Sequence, residues 1–290
     1  MSLVDLHTHS TASDGTDSPT ELVTRARDVK LSAVALTDHD TVAGLAEATA
    51  AGARLGVEVI PGIEIAAALP GRQAELHILG YFLDPASVAL ERFNQLLMGI
   101  RHERNEKLLA RLAELGVPID RKELAELAPG IVTRAHFADL MVRHGQVANN
   151  REAFTRFLGL GGLAYTEKGR LSFPQAFDVI HGAGGLVAIA HPVHLRADSD
   201  VELEILVGRL VDCGADAIEA FHSDHSPTMV RKVQRLAKRF DLCVTGGSDY
   251  HGMKRTARPL GSQRVDSSFL DQLKERWNAR RAKAAGTSTK

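Results

Sequence analysis

The sequence predicts an α/β fold, namely a closed or nearly closed (β/α) barrel that is interrupted by a helical insertion. Short β-like runs alternate with helical patterns before residue 86 and after residue 164, which is typical of a parallel sheet. Residues 86–164 carry only long, charged helical patterns. About seven strand–helix units fit the chain length. An open doubly wound sheet is the second choice, although no Gly-x-Gly-x-x-Gly follows the first strand.

The first part of the barrel is expected to alternate strand and helix. Ser18-Pro19-Thr20-Glu21 is a capping box with proline at the first helical position, and the helix that it opens runs to about Lys30. An alanine-rich helix is predicted at 42–55. Strands are predicted at 2–6, 33–36 and 57–61, and a hairpin at 64–69 and 75–82.

The insertion is expected to be wholly helical, and the alternation resumes after it. Helices are predicted within the insertion at 88–115, from 120, at 133–144 and at 150–158. Beyond it, helices are predicted at 173–183, 199–213, 226–240 and after Ser267, and strands at 186–190, 217–220 and 242–245. The basic tail, 280–290, is expected to fray.

Composition excludes several classes of protein. The 290 residues are 44% hydrophobic and 24% charged, as in ordinary soluble proteins, and the net charge is -1. This charge argues against nucleic-acid binding through a generally basic surface. No apolar run approaches the ~20 residues of a membrane span. The N-terminus does not resemble a signal peptide, and two lone cysteines give no disulfide framework, so we expect a cytoplasmic location without a membrane or an obligate protein partner.

Histidine and carboxylate residues follow the predicted strands at their C-terminal ends. In a (β/α) barrel these ends converge on one mouth, where active sites lie. His7 and His9 lie two apart on a strand and therefore face the same side. The full set of candidate ligands is His7, His9, Asp14, His39, Glu64, His77, His191, Asp249 and His251.

Nine candidate ligands are too many for one metal ion, since a catalytic zinc ion usually has three protein ligands. The set predicts two or three divalent ions, with Glu64 as a bridging carboxylate. Mixed imidazole and carboxylate ligands favour Mn²⁺, with Fe²⁺ or Zn²⁺ as alternatives, over Ca²⁺. Close metal pairs are typical of enzymes that hydrolyse phosphate esters.

The motifs that carry these residues resemble those of the polymerase and histidinol phosphatase (PHP) family. They are His7-Thr8-His9, Thr37-Asp38-His39, Pro61-Gly62-Ile63-Glu64, Glu75-Leu76-His77-Ile78-Leu79-Gly80, Ala190-His191-Pro192 and Ser248-Asp249-Tyr250-His251. The resemblance implies a distorted (β/α)7 barrel, formed by residues 1–85 and 165–290, and a helical insertion at 86–164 that caps the active site.

The resemblance also implies how the ligands divide among three metal ions. His7, His9, Glu64 and Asp249 would hold the first ion. Glu64, His77 and His191 would hold the second. Asp14, His39 and His251 would hold the third.

The insertion further resembles the stand-alone branch of nucleoside 3',5'-bisphosphate phosphatases, also described as ribonuclease AM. This implies hydrolysis of the 3'-phosphate of a nucleotide such as adenosine 3',5'-bisphosphate, with trimming of short RNA from its 5' end as a further activity. In this reaction we expect Asp249 to accept a proton from water. His194 and His222, which follow later strands, are candidates to protonate the leaving 3'-oxygen.

A second, non-reacting phosphate requires its own cations. Arg134, at a predicted helix start, and Lys168, on the return to the barrel, are the expected clamp, since helix N-termini and arginine both favour phosphate. Tyr165 is a candidate to stack on the base. The helical stretch Arg101-His102-Glu103-Arg104 is interpreted as an exposed face, and His144, His181 and His225 receive no role.

Three alternatives stay open. The first is a phosphatase for another small monoester such as histidinol phosphate, which would not need the Arg134 clamp. The second is a non-catalytic metal-binding module, which the full ligand set disfavours. The third is an amidohydrolase acting on C–N bonds, but no lysine ends a core strand.

Overall fold

The computed structural model describes residues 2–69, 75–127, 132–167, 169–252 and 258–287. The chain divides into two compact units. The barrel unit comprises Met1–Glu91 and Leu171–Lys290, and the helical unit comprises Arg92–Arg170. The predicted insertion, 86–164, starts and ends six residues earlier than the helical unit. None of the described helices is long and apolar enough to cross a membrane.

The barrel unit is built on a mixed, nearly closed sheet whose strand order is β8-β7-β6-β4-β3-β2-β1-β9, with β5 paired to β3. The strands are β1 (Leu3–Thr8), β2 (Leu31–Leu36), β3 (Glu58–Ala68), β4 (Glu75–Tyr81), β5 (Leu171–Ser172), β6 (Leu186–Ile189), β7 (Ala217–Phe221), β8 (Cys243–Gly246) and β9 (Val265–Asp266). The short strands β5 and β9 were not predicted from the sequence.

Strand β3 is continuous where the sequence predicted two strands. Its first residues pair in parallel with β2, as far as Pro61 opposite Leu36. From Gly62 onward it pairs antiparallel with β4. The strand therefore continues past proline because a second partner takes over at that point. Strand β4 is also antiparallel to β6, so the sheet is not wholly parallel.

Ten α-helices are described in the two units. They are α1 (Pro19–Asp28), α2 (Leu45–Leu55), α3 (Val88–Glu114), α4 (Arg121–Leu127), α5 (Arg134–Arg143), α6 (Asn150–Ala153), α7 (Phe173–Gly182), α8 (Asp200–Asp212), α9 (Pro227–Arg239) and α10 (Ser267–Thr287). The capping box of α1 is present: Ser18 Oγ accepts from the Glu21 N–H, and Glu21 Oε2 accepts from the Ser18 N–H.

The expected fraying of the C-terminal tail was wrong as far as Thr287, where α10 ends. Contacts within the barrel unit hold this helix. The Trp277 ring stacks on Phe82 at 5.0 Å, and its Nε1–H donates to the Gly184 carbonyl at 2.7 Å. Arg280 pairs with the buried carboxylate of Asp216. The basic, small-residue composition of 280–290 therefore did not prevent helix formation as far as Thr287.

Each unit has its own hydrophobic core. In the barrel unit, side chains from β1, β2, β4, β6 and α10 pack together, among them Leu6, Leu79 and Leu273. In the helical unit, Leu112, Phe137 and Leu158 belong to a separate buried cluster. Burial of these apolar side chains is the main favourable contribution to the free energy of folding of both units.

A candidate metal centre at the strand ends

The end of β1 places two imidazoles in the interior of the barrel unit. His7 lies in β1 and His9 follows it, and both side chains are fully buried, with ring centroids 5.2 Å apart. The loop after β8 lies against this end. The Asp249 N–H donates to the His7 carbonyl at 3.0 Å, and the His9 N–H donates to the Tyr250 carbonyl at 2.8 Å. These backbone bonds bring Asp249 to the two histidines.

A buried carboxylate fixes the loop that carries Asp249. Asp5 accepts hydrogen bonds from the Ser248 N–H at 2.9 Å, from its hydroxyl at 2.6 Å and from the Gly261 N–H at 2.8 Å. Burial raises the pKa of Asp5, and these hydrogen bonds oppose the shift. Asp249 itself adopts a left-handed backbone conformation with φ of 55°, and His191 has φ of 24°. Such conformations are uncommon outside glycine and are concentrated at functional sites.

The first predicted ligand group is assembled in the structure. Glu64 Oε2 lies 3.2 Å from Nε2 of both His7 and His9. Asp249 Oδ1 lies 3.5 Å from His7 Nε2 and 3.3 Å from His9 Nε2. One ligand atom from each of the four residues lies within 4.8 Å of the others, a spacing at which one cation can be shared.

Glu64 is the centre of the second group. Its Oε1 lies 2.7 Å from His77 Nδ1 and 3.1 Å from His191 Nε2. Its Oε2 lies 3.3 Å from His39 Nδ1. Burial would raise the pKa of Glu64, but the surrounding imidazoles, His7 first, hold it well below the ordinary value. An ionised carboxylate with both oxygens in use has the geometry of a bridging ligand.

The third group lies around Asp14. Its Oδ1 is 3.3 Å from His251 Nε2 and 3.9 Å from His39 Nε2. His251 Nδ1 lies 2.8 Å from the Asp249 carbonyl, which can only accept, so Nδ1 carries a proton and Nε2, which faces Asp14, is the nitrogen that remains for a metal ion. Histidines that bind a metal ion through one ring nitrogen commonly donate the other N–H in this way.

These groups fit divalent cations. Both ring nitrogens of His9 are buried and make no hydrogen bond, although two carboxylates lie within 3.3 Å of Nε2. A buried polar atom without a partner is costly, and a cation between the imidazoles and carboxylates would satisfy it. All nine predicted ligands thus meet at one end of the sheet. The donor set is of the kind that holds Mn²⁺, Fe²⁺ or Zn²⁺.

The two predicted leaving-group acids lie beside this cluster. His222 Nδ1 accepts from the Asp224 N–H at 3.1 Å, so the neutral ring carries its proton on Nε2, which lies 3.5 Å from Asp249 Oδ2. His194 Nε2 lies 3.0 Å from Asp224 Oδ2. Burial lowers the pKa of both histidines. Arg258 pairs with Asp224 and Asp249.

Asp224, Arg258 and Glu219 were missed in the sequence. Glu219 is a charged residue inside the apolar strand β7, and that contrast was a signal that could have found it. Asp224 and Arg258 lie in loops with no pattern around them, so nothing in the sequence distinguished them from solvated charges.

The predicted second-phosphate residues belong to the helical unit. Arg134 begins α5 and lies 5.9 Å over the Tyr165 ring, and both side chains are partly buried. Lys168 lies outside the described residues. A cavity of about 320 Å³ is lined by Arg134 together with Arg101, Arg104, Val132, Thr133, Ala135 and Phe154.

Arg101 and Arg104 are not the exposed face that the sequence suggested. Both are partly buried, and the Arg104 Nε is buried without a hydrogen-bond partner. Burial, together with repulsion from Arg134 and Arg101, lowers the pKa of Arg104 to about 10. Within the described ranges no carboxylate pairs with any of the three arginines. The helical unit therefore concentrates uncompensated positive charge in one cavity.

The strand-end cluster and the mixed barrel define the chain as a metallohydrolase-type α/β protein. The PHP domain model matches residues 5–188. A 5'-3' exoribonuclease of Haemophilus influenzae is 37% identical over 247 residues, covering 85% of this chain and 89% of that protein. A 3',5'-nucleoside bisphosphate phosphatase of Chromobacterium violaceum is 34% identical, covering 90% and 91%.

A solved structure agrees with these relatives. A candidate metal-dependent phosphoesterase of Bifidobacterium adolescentis superposes with a TM-score of 0.72 at 29% identity, covering 94% of this chain and 96% of that one. The chain belongs to the PHP domain family.

Proposed function

We propose that this chain is a metal-dependent phosphoesterase that removes the 3'-phosphate from nucleoside 3',5'-bisphosphates, leaving a nucleoside 5'-phosphate. The observation that carries the proposal is the cluster of imidazoles and carboxylates around Glu64 in the barrel unit. It is supported by a cavity of the helical unit lined by three arginines that pair with no carboxylate among the described residues, although Arg134 donates to the Leu158 carbonyl at 3.1 Å. The first suits hydrolysis of a phosphate ester, and the second suits a further phosphate.

The metal ligands would be the nine residues predicted from the sequence, with Mn²⁺ as the favoured ion. Bound divalent ions lower the pKa of water and offset charge on the phosphoryl oxygens. The relatives named as a bisphosphate phosphatase and an exoribonuclease support a nucleotide or short RNA substrate.

The protein's own residues would move the protons. Water adds to the 3'-phosphorus and gives one proton to Asp249. The P–O3' bond breaks, and its electron pair stays on the 3'-oxygen, which takes a proton from His194. The Asp224 carboxylate, 3.0 Å from His194 Nε2, would orient the ring and oppose the lowering of its pKa by burial. His222 carries its proton on Nε2 and would donate a hydrogen bond to a phosphoryl oxygen.

The arginine cavity would hold the 5'-phosphate. Arg104 has a buried, unpartnered Nε–H, and Arg134 stands at the first turn of α5, where the helix dipole favours an anion. The two side chains carry like charges in one cavity, so a bound dianion would relieve their repulsion. Tyr165, under the Arg134 guanidinium, would stack on the base.

Phosphate release from adenosine 3',5'-bisphosphate and from 3'-AMP tests this assignment. Arg104→Ala and Arg134→Ala should each lower kcat/KM for the bisphosphate by roughly 10- to 100-fold, since charge-assisted hydrogen bonds contribute ~1.5–3 kcal/mol. Neither should change hydrolysis of 3'-AMP, which has no 5'-phosphate. Arg111→Ala is the control. Arg111 is an exposed arginine of α3, the helix that also carries Arg104, and it is paired with Glu114. Equal losses on both substrates would contradict the second-phosphate role.

A further inference from the structure

Glu219 is a buried carboxylate in the middle of the apolar strand β7. Its side chain is 0% exposed, and its neighbours in the strand are Ile218 and Ala220. Burying an ionised carboxylate is strongly unfavourable unless hydrogen bonds and opposite charge compensate for it. The groups that contact Glu219 therefore indicate its role in the structure.

One oxygen of Glu219 determines which nitrogen of His7 is protonated. Oε1 lies 3.0 Å from His7 Nδ1. An ionised carboxylate can only accept, so Nδ1 must carry a proton. The other nitrogen, Nε2, is directed at Glu64 and Asp249, 3.2 and 3.5 Å away. Glu219 thus reserves Nε2 as the ligand atom.

The other oxygen holds the backbone of a second candidate ligand. Oε2 accepts from the His191 N–H at 2.7 Å. His191 has φ of 24°, a conformation that costs energy and persists only where surrounding contacts enforce it. A short hydrogen bond to a charged acceptor is one such contact.

A cation bound by Glu219 itself does not explain these contacts. Glu219 forms a compact group with His7 and His222. However, His222 Nδ1 accepts from a backbone N–H, so its Nε2 is protonated and has no lone pair for a metal ion. His7 Nδ1 is likewise committed to the carboxylate.

We propose that Glu219 is a positioning residue of the metal centre, which sets the tautomer of His7 and the backbone of His191 so that one carboxylate aligns ligands of two ions. This inference rests on the proposed metal centre. Such outer partners of ligating histidines typically affect metal affinity by about 10- to 100-fold.

Glu219→Gln tests the proposal with a side chain of nearly the same shape. If the amide oxygen accepts from the His191 N–H, the amide nitrogen faces His7 Nδ1 and donates to it. The His7 proton then moves to Nε2 and blocks the ligand atom. We expect Mn²⁺ affinity, measured by electron paramagnetic resonance titration of chelator-treated protein, to fall by about 10- to 100-fold.

Asp216→Asn is the matched control. Asp216 lies next to β7, is also buried, and likewise contacts a histidine ring, His181, and a backbone N–H, that of Val187. It contacts no candidate ligand. A merely structural role predicts the same outcome for both variants, namely lower unfolding stability and unchanged Mn²⁺ affinity. A loss of affinity in Glu219→Gln alone supports positioning, and unchanged affinity in both overturns it.

Two further measurements keep the test decisive. If Glu219→Gln does not fold, Glu219→Asp retains the charge but is too short to reach both partners, so reduced Mn²⁺ affinity is expected and unchanged affinity overturns the proposal. The unsubstituted protein is titrated first. Absence of Mn²⁺ binding there would contradict the proposed metal centre, whereas binding that Glu219 variants do not alter would contradict only this inference.

Discussion

Individual histidines of the cluster differ sharply in their charge. Burial opposes the charged form of His7, but the carboxylates of Glu219 and Glu64 outweigh it and raise the pKa of His7 to about 10. Burial lowers the pKa of His39 and of His191 to about 4. At neutral pH the metal-free protein therefore holds His7 in the charged, doubly protonated form, whereas His39 and His191 are neutral.

Metal binding should accordingly release a proton. A ligand atom must be deprotonated, so an ion that binds His7 Nε2 displaces the proton held there below pH 10. His39 and His191 contribute no proton above about pH 5. Calorimetric titration with Mn²⁺ at pH 7.5, in two buffers that differ in ionisation enthalpy, should show a net release of protons that includes the one from His7, and the affinity should rise with pH. The same heat in both buffers would contradict this.

The residues of the site were largely predictable because ligand types recur at strand ends. All nine candidate ligands came from the sequence, and several of them, such as His7, His39 and His191, stand out there because they follow apolar runs. The structure brings these side chains together, and their role as ligands stays a prediction. The supporting residues were not predictable. Asp5, Glu219 and Asp224 act through contacts with residues far away in the chain, and no local pattern encodes such contacts.

At the scale of elements, the residues directly after β8, 247–250, are held closely against β1. A Cβ at Gly247 would lie 2.3 Å from the His7 nitrogen and 2.7 Å from Asp5 Oδ1, so only glycine allows this approach. Strand β1 and this segment together carry His7, His9 and Asp249. Their relative position decides the first ligand group.

Gly247→Ala should therefore destabilise the protein by about 1–3 kcal/mol, since an added methyl group in a filled space forces backbone movement. It should also weaken Mn²⁺ binding. Gly99→Ala is the control, because a Cβ at Gly99 meets nothing within 4 Å and alanine is favoured over glycine within a helix. The midpoint of urea unfolding distinguishes the two. Equal midpoints for Gly247→Ala and the unsubstituted protein would contradict the close packing.

Helices were predicted more accurately than strands. Helix α1 begins at its capping box, and α7, α8 and α9 end within one residue of their predicted ends, because helix signals are local in sequence. Strand pairing is not local. The continuity of β3 and the short strands β5 and β9 depend on partners distant in the chain, so propensity could not reveal them.

The whole molecule consists of a barrel unit with a candidate metal centre and a helical unit with a basic cavity. We propose that the barrel unit hydrolyses the phosphate ester and that the helical unit recognises a second phosphate of the substrate. The predicted capping of the active site by the insertion and the cytoplasmic location stay predictions.

The most direct test of the central claim measures phosphate release from adenosine 3',5'-bisphosphate before and after metal removal. Protein treated with a chelator and dialysed should be inactive, and added Mn²⁺ should restore release of one phosphate per substrate with 5'-AMP as the nucleotide product. Undiminished activity in the metal-free protein would contradict the metal-dependent mechanism. Formation of 3'-AMP would contradict the assigned position of cleavage.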